Sequence, residues 1–509
     1  MLIEAMLLVT LVGALVVFAS PNRYAGRLAF AISLLPLGIS LWLYHRFEAV
    51  GNIFLGGDPA FETRAIWIDL QPYAIEWWVG VDGISLPLLV LATILATLAI
   101  VSAWTPIDER ESQFYGLILI LETGLIGVFV ALDFILWFVF WEVVLIPMYL
   151  LIGIWGGPRR KYAAIKFFVY TNVASLAMFI GFVAIVFGLG DAVATFGMPE
   201  ITAALHDGQL GALAGLDAAT LKLAAFLAIF AGFAVKVPMV PVHTWLPDAH
   251  VEAPSPVSVL LAGVLLKMGT YALLRFNFTM FDDVAQQLAV PIAILAVISV
   301  IYGAMLALAQ SDLKRIVAYS SISSMGYVIL GLVAYTTYGV GGATFQMISH
   351  GLISGLMFMV VGVIYNQTHT RMVGDMAGLA DRMPVVVGVF VAGAFAYMGL
   401  PLMSGFAAEF MIFYGAFEST VVPSAPLVTA VAMFGIVIVA GYLLWAMQQS
   451  LFGPFRLETD EPLGRAPIQD IAPLFVLLAL IILLGVDPDI FVTMIQDAAD
   501  PVAALGGDT

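Results

Sequence analysis

Long apolar segments, each long enough to cross a lipid bilayer, follow one another along almost the whole chain. Hydrophobic residues make up 62% of the 509 residues, and charged residues only 11%. Soluble domains carry roughly 25% charged residues, so the chain is predicted to be an all-α polytopic membrane protein. Because a transmembrane helix needs about 20 residues, we divide the sequence into fourteen predicted spans. These spans are 2–20, 28–45, 84–105, 113–131, 133–155, 163–189, 219–245, 255–277, 286–308, 314–335, 341–365, 385–415, 427–451 and 469–486.

Composition also excludes several kinds of partner and cofactor. The formal net charge of −16 argues against nucleic acid as a partner. The chain has no cysteine, which excludes disulfides, zinc–thiolate sites and cysteine-ligated iron–sulfur clusters. It contains neither the G-x-G-x-x-G nor the G-x-x-x-x-G-K-[ST] pattern of nucleotide-binding loops. We therefore expect no cofactor and no metal in this chain, and membrane lipid around it.

The distribution of lysine and arginine predicts which loops face the cytoplasm. Basic residues such as Arg110, Arg159, Lys161 and Lys314 lie in odd-numbered loops or at their edges. Since cytoplasmic loops are enriched in lysine and arginine, the odd loops are predicted to be cytoplasmic and both termini periplasmic. An alanine- and glycine-rich composition without a transit peptide favours the bacterial inner membrane.

Two predicted spans contain prolines at or beyond the middle of the membrane. The seventh holds Pro238 and Pro241, and the twelfth holds Pro401. Proline removes a backbone donor and clashes with the preceding turn, so both helices are predicted to be discontinuous. The breaks lie five spans apart, and a repeat with an odd number of spans is inverted relative to its copy, which predicts two inverted five-helix repeats of the transporter type. The alternative is two unrelated proline kinks.

The repeats divide the chain into four predicted units. The first unit is three helices with a periplasmic loop, and the last is a helix with an acidic tail. Between them lie the two repeats, each expected to form a half-channel. The boundaries are 1–112, 113–277, 286–452 and 453–509.

Five ionisable residues lie deep inside the apolar spans. They are Glu142, Lys236, Lys267, His350 and Glu409, in spans five, seven, eight, eleven and twelve. A lysine near the bilayer centre costs at least about 2.5–3.5 kcal/mol, so such residues persist mainly where function needs them. Since the first four lie at similar depths in their spans, we predict a row of acids and bases at one height that transfers protons.

The predicted pairing of Glu142 with Lys236 indicates how such a row could be driven. At a separation of about 7 Å and an effective dielectric constant near 20, their attraction would be about 2.4 kcal/mol. Moving one charge against 100 mV costs about 2.3 kcal/mol, so displacing the glutamate could load or unload the lysine. Each residue also has a structural alternative. Glu142 could form an ion pair that holds helices together, and Lys236 and Lys267 could extend their ammonium groups to the membrane surface. His350 could make a helix contact, and Glu409 could lie near the surface. Glu122 has no partner by pattern and is left outside the predicted site.

Several long motifs are similar to those of one known family. They are FVFWEVVLIPMYLLIGIWGG from Phe138, VKVPMVPVHTWLPDAHVEAP from Val235, LAGVLLKMGTYALLR from Leu261, QSDLKRIVAYSSISSMGYV from Gln310 and HGLISGLMFMVVGVIY from His350. Over roughly residues 80–450 the chain resembles the antiporter-like subunits of respiratory complex I, the proton-translocating NADH:quinone oxidoreductase. Glu409 ends the motif GLPLMSGFAAE where the L and N subunits generally carry lysine. The resemblance is therefore to the M type, called NADH dehydrogenase subunit 4 in mitochondria.

The resemblance implies a function, partners and residue roles. Complex I oxidises NADH with FMN and iron–sulfur clusters in other subunits, reduces quinone, and translocates protons through its membrane arm. The L-type and N-type antiporter-like subunits would be the neighbours of this chain. Glu142 and Lys236 would form the coupling pair. Lys267 and His350 would be the central relay, and Glu409 the terminal carrier toward the periplasm.

Two other functions remain open on the sequence. A subunit of a multisubunit sodium/proton antiporter would share ancestry, span number and the first three motifs, although Glu409 favours complex I. A purely structural membrane scaffold is the third interpretation. A scaffold would tolerate Lys236→Met without loss of pumping.

Overall fold

The computed structural model describes residues 1–457, 463 and 466–507. Within this part, thirteen helices are long and apolar enough to cross a membrane, which confirms the predicted all-α polytopic fold. The last predicted unit, 453–509, extends over residues outside the described part.

The helices and the two strands are labelled in chain order. The first half contains α1 (Leu2–Ala19), α2 (Asn22–Arg46), β1 (Ala60–Asp69), β2 (Ala74–Val81), α3 (Ser85–Ser102), α4 (Glu111–Val130), α5 (Phe134–Trp155), α6 (Arg160–Leu189), α7 (Met198–His206), α8 (Ala218–Lys236), α9 (Trp245–Glu252), α10 (Ser255–Leu260) and α11 (Leu266–Ala272). The second half contains α12 (Asp282–Gln287), α13 (Ala289–Leu308), α14 (Leu313–Val333), α15 (Thr337–Thr368), α16 (Pro384–Tyr397), α17 (Ser404–Glu418), α18 (Ala425–Ser450), α19 (Ile468–Val486) and α20 (Asp489–Ala504). The π-helical segment Leu261–Leu265 joins α10 to α11, and a second one, Leu273–Met280, extends α11, which gives one continuous span, Ser255–Met280.

Both spans predicted to be discontinuous are broken, whereas Pro36 in α2 and Pro147 in α5 lie inside continuous helices. The seventh is divided into α8 and α9, and the twelfth into α16 and α17. The twelfth span is not among the thirteen long helices, because its first half, α16, is too short to cross a membrane alone. Adding this broken span to the thirteen gives the fourteen predicted spans.

Side chains satisfy the backbone groups that the first break exposes. The Val235 carbonyl near the end of α8 accepts a hydrogen bond from the Trp245 indole at 2.8 Å. The Val240 N–H donates to the Ser299 hydroxyl on α13 at 3.1 Å. Irregular backbone survives inside a membrane only where protein or water satisfies it, and neighbouring elements do so here.

The centre of the bundle is formed by the spans that carry the predicted relay. Ser255–Met280 is buried from Pro256 onward, α15 is buried from Gly339 to Ile364, and α4 and α14 are mostly buried. The outer helices expose apolar side chains, for example Ile180 on α6 and Val437 on α18. In a membrane these outer faces meet lipid or other apolar helices, so Lys267 and His350 lie in the most protected layer.

The two ends of the bundle are distinguished by their loops. At one end, called the terminal face, the Met1 amino group donates to Thr63 at 3.2 Å and the Gly51 N–H donates to Asp497 at 2.9 Å. At the other end, called the opposite face, Arg371 pairs with Asp312 at 2.6 Å. The antiparallel β1–β2 hairpin and α20 both belong to the terminal face.

Candidate functional site

Lys267 and His350 are in direct contact at the centre of the bundle. Widened turns of a π-helix leave backbone carbonyls poorly paired and are frequent at functional sites. The π-helical turn at Leu261–Leu265 presents the Ala262 carbonyl to the Lys267 ammonium, which donates to it at 2.5 Å. The same nitrogen lies 2.6 Å from Nδ1 of His350. Spans eight and eleven are therefore neighbours, and a hydrogen bond joins their two buried bases, Lys267 and His350.

Tyr397 extends this contact toward the second break. Its hydroxyl lies 3.5 Å from Nε2 of His350, and it is the last residue of α16 before the chain leaves the helix. The hydroxyls of Ser320, Ser321 and Ser354, from α14 and α15, lie close to it. Polar groups therefore continue from His350 to the interrupted helix inside an otherwise apolar layer.

Glu409 lies on the far side of the second break, in α17. Its side chain folds back over Gly399, where a Cβ atom would meet Oε2 at 2.6 Å. Within the described residues, Oε2 is buried and has no hydrogen-bond partner. The hydroxyls of Tyr327 and Tyr442 lie within electrostatic range of the carboxylate, and Tyr442 is also close to Ser320. Tyrosines thus span the distance between Tyr397 and Glu409.

Lys236 and Glu142 form a second group at the first break. Lys236 is the last residue of α8, is 3% exposed, and places its ammonium 5.0 Å from the centroid of the Trp141 ring. Glu142 is half-buried and within electrostatic range of that ammonium. No direct ion pair joins them in the described chain. Displacement of either side chain would therefore change their attraction.

The two groups approach each other at Gly269. A Cβ atom there would lie 3.2 Å from Cβ of Lys236, so the end of α8 packs against the helix that carries Lys267. No hydrogen bond between described residues links Lys236 to Lys267. The structure therefore connects Lys267, His350 and Tyr397 by direct contacts and places the Glu142–Lys236 group beside them. Among the described residues, the Tyr442 hydroxyl and Oε2 of Glu409 have no hydrogen-bond partner, so no continuous chain of hydrogen bonds reaches Glu409.

His250 is a buried histidine near the candidate site that the sequence analysis does not single out. It lies in α9, is fully buried, stacks on Phe358 with ring centroids 4.4 Å apart, and has no partner for either nitrogen in the described part. Lys267 and Lys314 both lie within its electrostatic range. The predicted seventh span ends at 245, whereas α9 continues to Glu252. His250 itself lies in the motif VKVPMVPVHTWLPDAHVEAP, three residues after Pro247, and this position is the sequence signal that could have indicated it.

Glu122 on α4 is fully buried, and neither carboxylate oxygen has a partner among the described residues. It stays outside the candidate site. The described residues also contain no group of three histidine or acidic side chains that could hold a metal ion.

Comparison with known proteins gives consistent matches over the whole chain. Residues 131–438 match the family model described as NADH:quinone oxidoreductase/Mrp antiporter, transmembrane region. The chain is 39% identical to NAD(P)H-quinone oxidoreductase chain 4 1 of Nostoc sp., over 97% of this chain and 90% of that protein. It is 42% identical to NADH-quinone oxidoreductase subunit M of Rhodobacter capsulatus, over 93% of this chain and 89% of that protein.

Two solved assemblies contain chains of the same fold. One is respiratory complex I from Thermus thermophilus with bound NADH, matched with a TM-score of 0.86 and 27% identity over 100% of both chains. The other is the Mrp complex from Dietzia sp., matched with a TM-score of 0.83 and 21% identity over 99% of both chains. At that lower identity the second match shows likeness of fold alone.

Proposed function

Because the chain belongs to the NADH:quinone oxidoreductase/Mrp antiporter transmembrane family, we propose that it is the M-type membrane subunit of a respiratory complex I. It translocates protons, driven by NADH oxidation and quinone reduction in other subunits, and contains no redox centre. The observation that carries this proposal is the 2.6 Å contact between Lys267 and His350 inside a fully buried layer. Such buried bases are costly in a membrane and mark proton or ion pathways.

The proposed path assigns one step to each group. Glu142 and Lys236 are the coupling pair, because the separated charges attract each other by an amount that their distance controls. Lys267 and His350 are the central relay. Protons then pass Tyr397 and Tyr442 to Glu409, the terminal carrier. Water bridges the gaps that exceed hydrogen-bond length.

The proposed partners are the L-type and N-type antiporter-like subunits, with FMN and iron–sulfur clusters in other subunits of the complex. Exposed apolar side chains on α6 and α18 support this arrangement, because they offer one outer face on each of the two proposed repeats, 113–277 and 286–452. Lipid would cover whatever the neighbours leave free.

The proposed location is the bacterial inner membrane, with the terminal face toward the periplasm. Arg159, Arg160 and Lys161 are exposed at the start of α6, at the opposite face. Because cytoplasmic loops are enriched in lysine and arginine, this cluster supports a cytoplasmic opposite face.

Purification of the chain from its native membrane tests the proposed function. We expect a mild-detergent preparation to contain FMN and to reduce quinone with NADH, because the proposed complex holds its redox centres in other subunits. Vesicles with this preparation should take up protons on addition of NADH without sodium. A preparation that lacks FMN and exchanges protons only for sodium would instead establish the alternative, a sodium/proton antiporter subunit.

Gly399→Ala is expected to slow proton translocation several-fold. Gly399 has a φ of +65°, and the added Cβ would meet Glu409 Oε2 at 2.6 Å. The left-handed backbone alone costs a residue with a Cβ about 1–2 kcal/mol. The shift of Glu409 should lower the rate of NADH-driven proton uptake in vesicles, while assembly of the complex persists.

Gly388→Ala on α16 is the matched control for Gly399→Ala. No atom lies within 4 Å of a Cβ added at Gly388, so this variant should pump like the unmodified protein. Equal pumping by both variants would contradict the placement of Glu409 in the path.

A further inference from the structure

A second series of polar side chains runs from Lys267 toward the terminal face. Tyr271 and Arg275 follow Lys267 at intervals of four residues, and both are buried. At 1.5 Å per residue, Arg275 lies about 12 Å beyond the lysine along the helix. The proposed lateral path through His350 uses neither of these side chains, so they need a separate explanation.

Arg275 is held rigidly at the end of this series. Its guanidinium donates to Oδ1 of Asp82 at 2.5 Å and to Oδ1 of Asn52 at 3.4 Å. The guanidinium carbon also lies 5.1 Å from the ring centroids of both Phe54 and Tyr271. Arg275 is 1% exposed and Asp82 is 0% exposed. The pair is therefore a buried, hydrogen-bonded group directly beyond Tyr271.

Neither member of this pair is suited to pass a proton. An arginine guanidinium has no acceptor and is not deprotonated in proteins. The Asp82 carboxylate already accepts the N–H groups of Ile84 and Ser85 at 3.0 Å each, in addition to Arg275. A proton arriving from Lys267 would meet a fixed cation followed by a carboxylate whose Oδ1 already accepts three hydrogen bonds and whose Oδ2 accepts the Ile53 N–H at 3.4 Å. Arginines at narrow points exclude protons and cations from channels in this way.

The chain also covers the outer side of the pair. The Asn52 amide donates to the Ala498 carbonyl of α20 at 2.8 Å, and the Gly51 N–H donates to Asp497 of the same helix at 2.9 Å. The loop before β1 and α20 thus close the end of Ser255–Met280 at the terminal face. The cover and the cation lie in series along this helix between Lys267 and that face.

We propose that Arg275 and Asp82, which lie directly beyond Tyr271, form an electrostatic seal that prevents Lys267 from losing its proton directly to the terminal face. The seal directs that proton sideways to His350 and onward to Glu409. This inference rests on the proposed function, because it takes Lys267 to carry protons. It differs from a second exit, in which the same side chains would conduct, and from an ion pair that serves folding alone.

The test is the double variant Asp82→Asn/Arg275→Gln, because both charges are removed together and no buried charge is left unpaired. The complex is reconstituted in vesicles, and the decay of an imposed pH gradient is measured without NADH. We expect at least a tenfold faster decay than in the unmodified complex, with NADH:quinone reduction retained. A gradient as stable as normal together with normal pumping would overturn the seal and leave a folding role.

Tyr271→Phe separates a seal from an exit and leaves the ion pair in place, so it also serves if the double variant fails to assemble. A seal predicts normal pumping and a normal gradient, since the cation is unchanged. Slower pumping by Tyr271→Phe, or loss of pumping without a leak in the double variant, would overturn the seal in favour of an exit.

Adding Lys267→Met to the double variant should abolish the leak, and a leak that persists would also overturn the seal. Failure of the proposed function is seen separately, as pumping retained by Lys267→Met alone.

Discussion

Replacing Lys267 with methionine is expected to lower NADH-driven proton translocation by about 100-fold or more, the scale on which a positioned proton donor or acceptor contributes. The ammonium links the Ala262 carbonyl, at 2.5 Å, to the His350 ring, at 2.6 Å. Methionine has nearly the same shape and no titratable proton. His350 would then keep only its 3.5 Å contact with Tyr397. Proton uptake by vesicles, measured with a pH-sensitive dye, is the readout.

A second variant, Lys267→Arg, separates proton transfer from a need for positive charge. Arginine keeps the charge but is not deprotonated in proteins. The relay therefore predicts that Lys267→Arg fails to pump as completely as Lys267→Met. Recovery of pumping by the arginine variant would show that the site needs a fixed charge and not a transferable proton.

Lys236→Met is expected to abolish proton translocation through this chain and to slow the quinone reduction coupled to it. The ammonium is nearly fully buried at the end of α8, over Trp141 and within electrostatic range of Glu142. Without the ammonium, the Glu142 carboxylate has no cation of this group to attract. Energy released elsewhere in the complex could then no longer change the charge of the Glu142–Lys236 group. A lysine at this depth costs at least about 2.5–3.5 kcal/mol, so the thermal unfolding temperature should not fall.

Lys222→Met is the matched control, because it makes the same substitution on the same helix. Lys222 lies in the first turns of α8 and pairs with Asp283 at 2.8 Å, away from the break. Exposed or half-exposed ion pairs of this kind contribute about 0–1 kcal/mol. The control should assemble, pump and reduce quinone normally.

Much of the fold follows from the sequence because bilayer thickness sets the length of each apolar segment. The prolines at 238, 241 and 401 lie at the two discontinuous helices, but Pro36 and Pro147 lie inside continuous helices, so proline alone does not determine where a span breaks. The β1–β2 hairpin and α20 do not follow, because short amphipathic elements outside the bilayer leave no comparable hydropathy signal. The predicted acidic tail accordingly contains a helix, α20, with Phe491 and Ile495 on its buried face.

The candidate site is predicted in its ionisable residues but not in its connections. A charge in an apolar span stands out, so Lys267 and His350 can be found without a structure. Their contact depends on which helices are neighbours, and depth alone does not determine that. Tyr397 and Tyr442 are harder still, because an aromatic residue in an apolar span reads as packing until its hydroxyl is seen beside a break.

The number of protons translocated per NADH oxidised, compared between Lys236→Met and Lys222→Met in reconstituted vesicles, tests the central claim most directly. The claim is that buried titratable side chains of this chain carry the protons. It predicts an unchanged ratio for Lys222→Met, and for Lys236→Met the loss of the protons carried by this chain along with slowed NADH oxidation. An unchanged ratio and rate in Lys236→Met would contradict it.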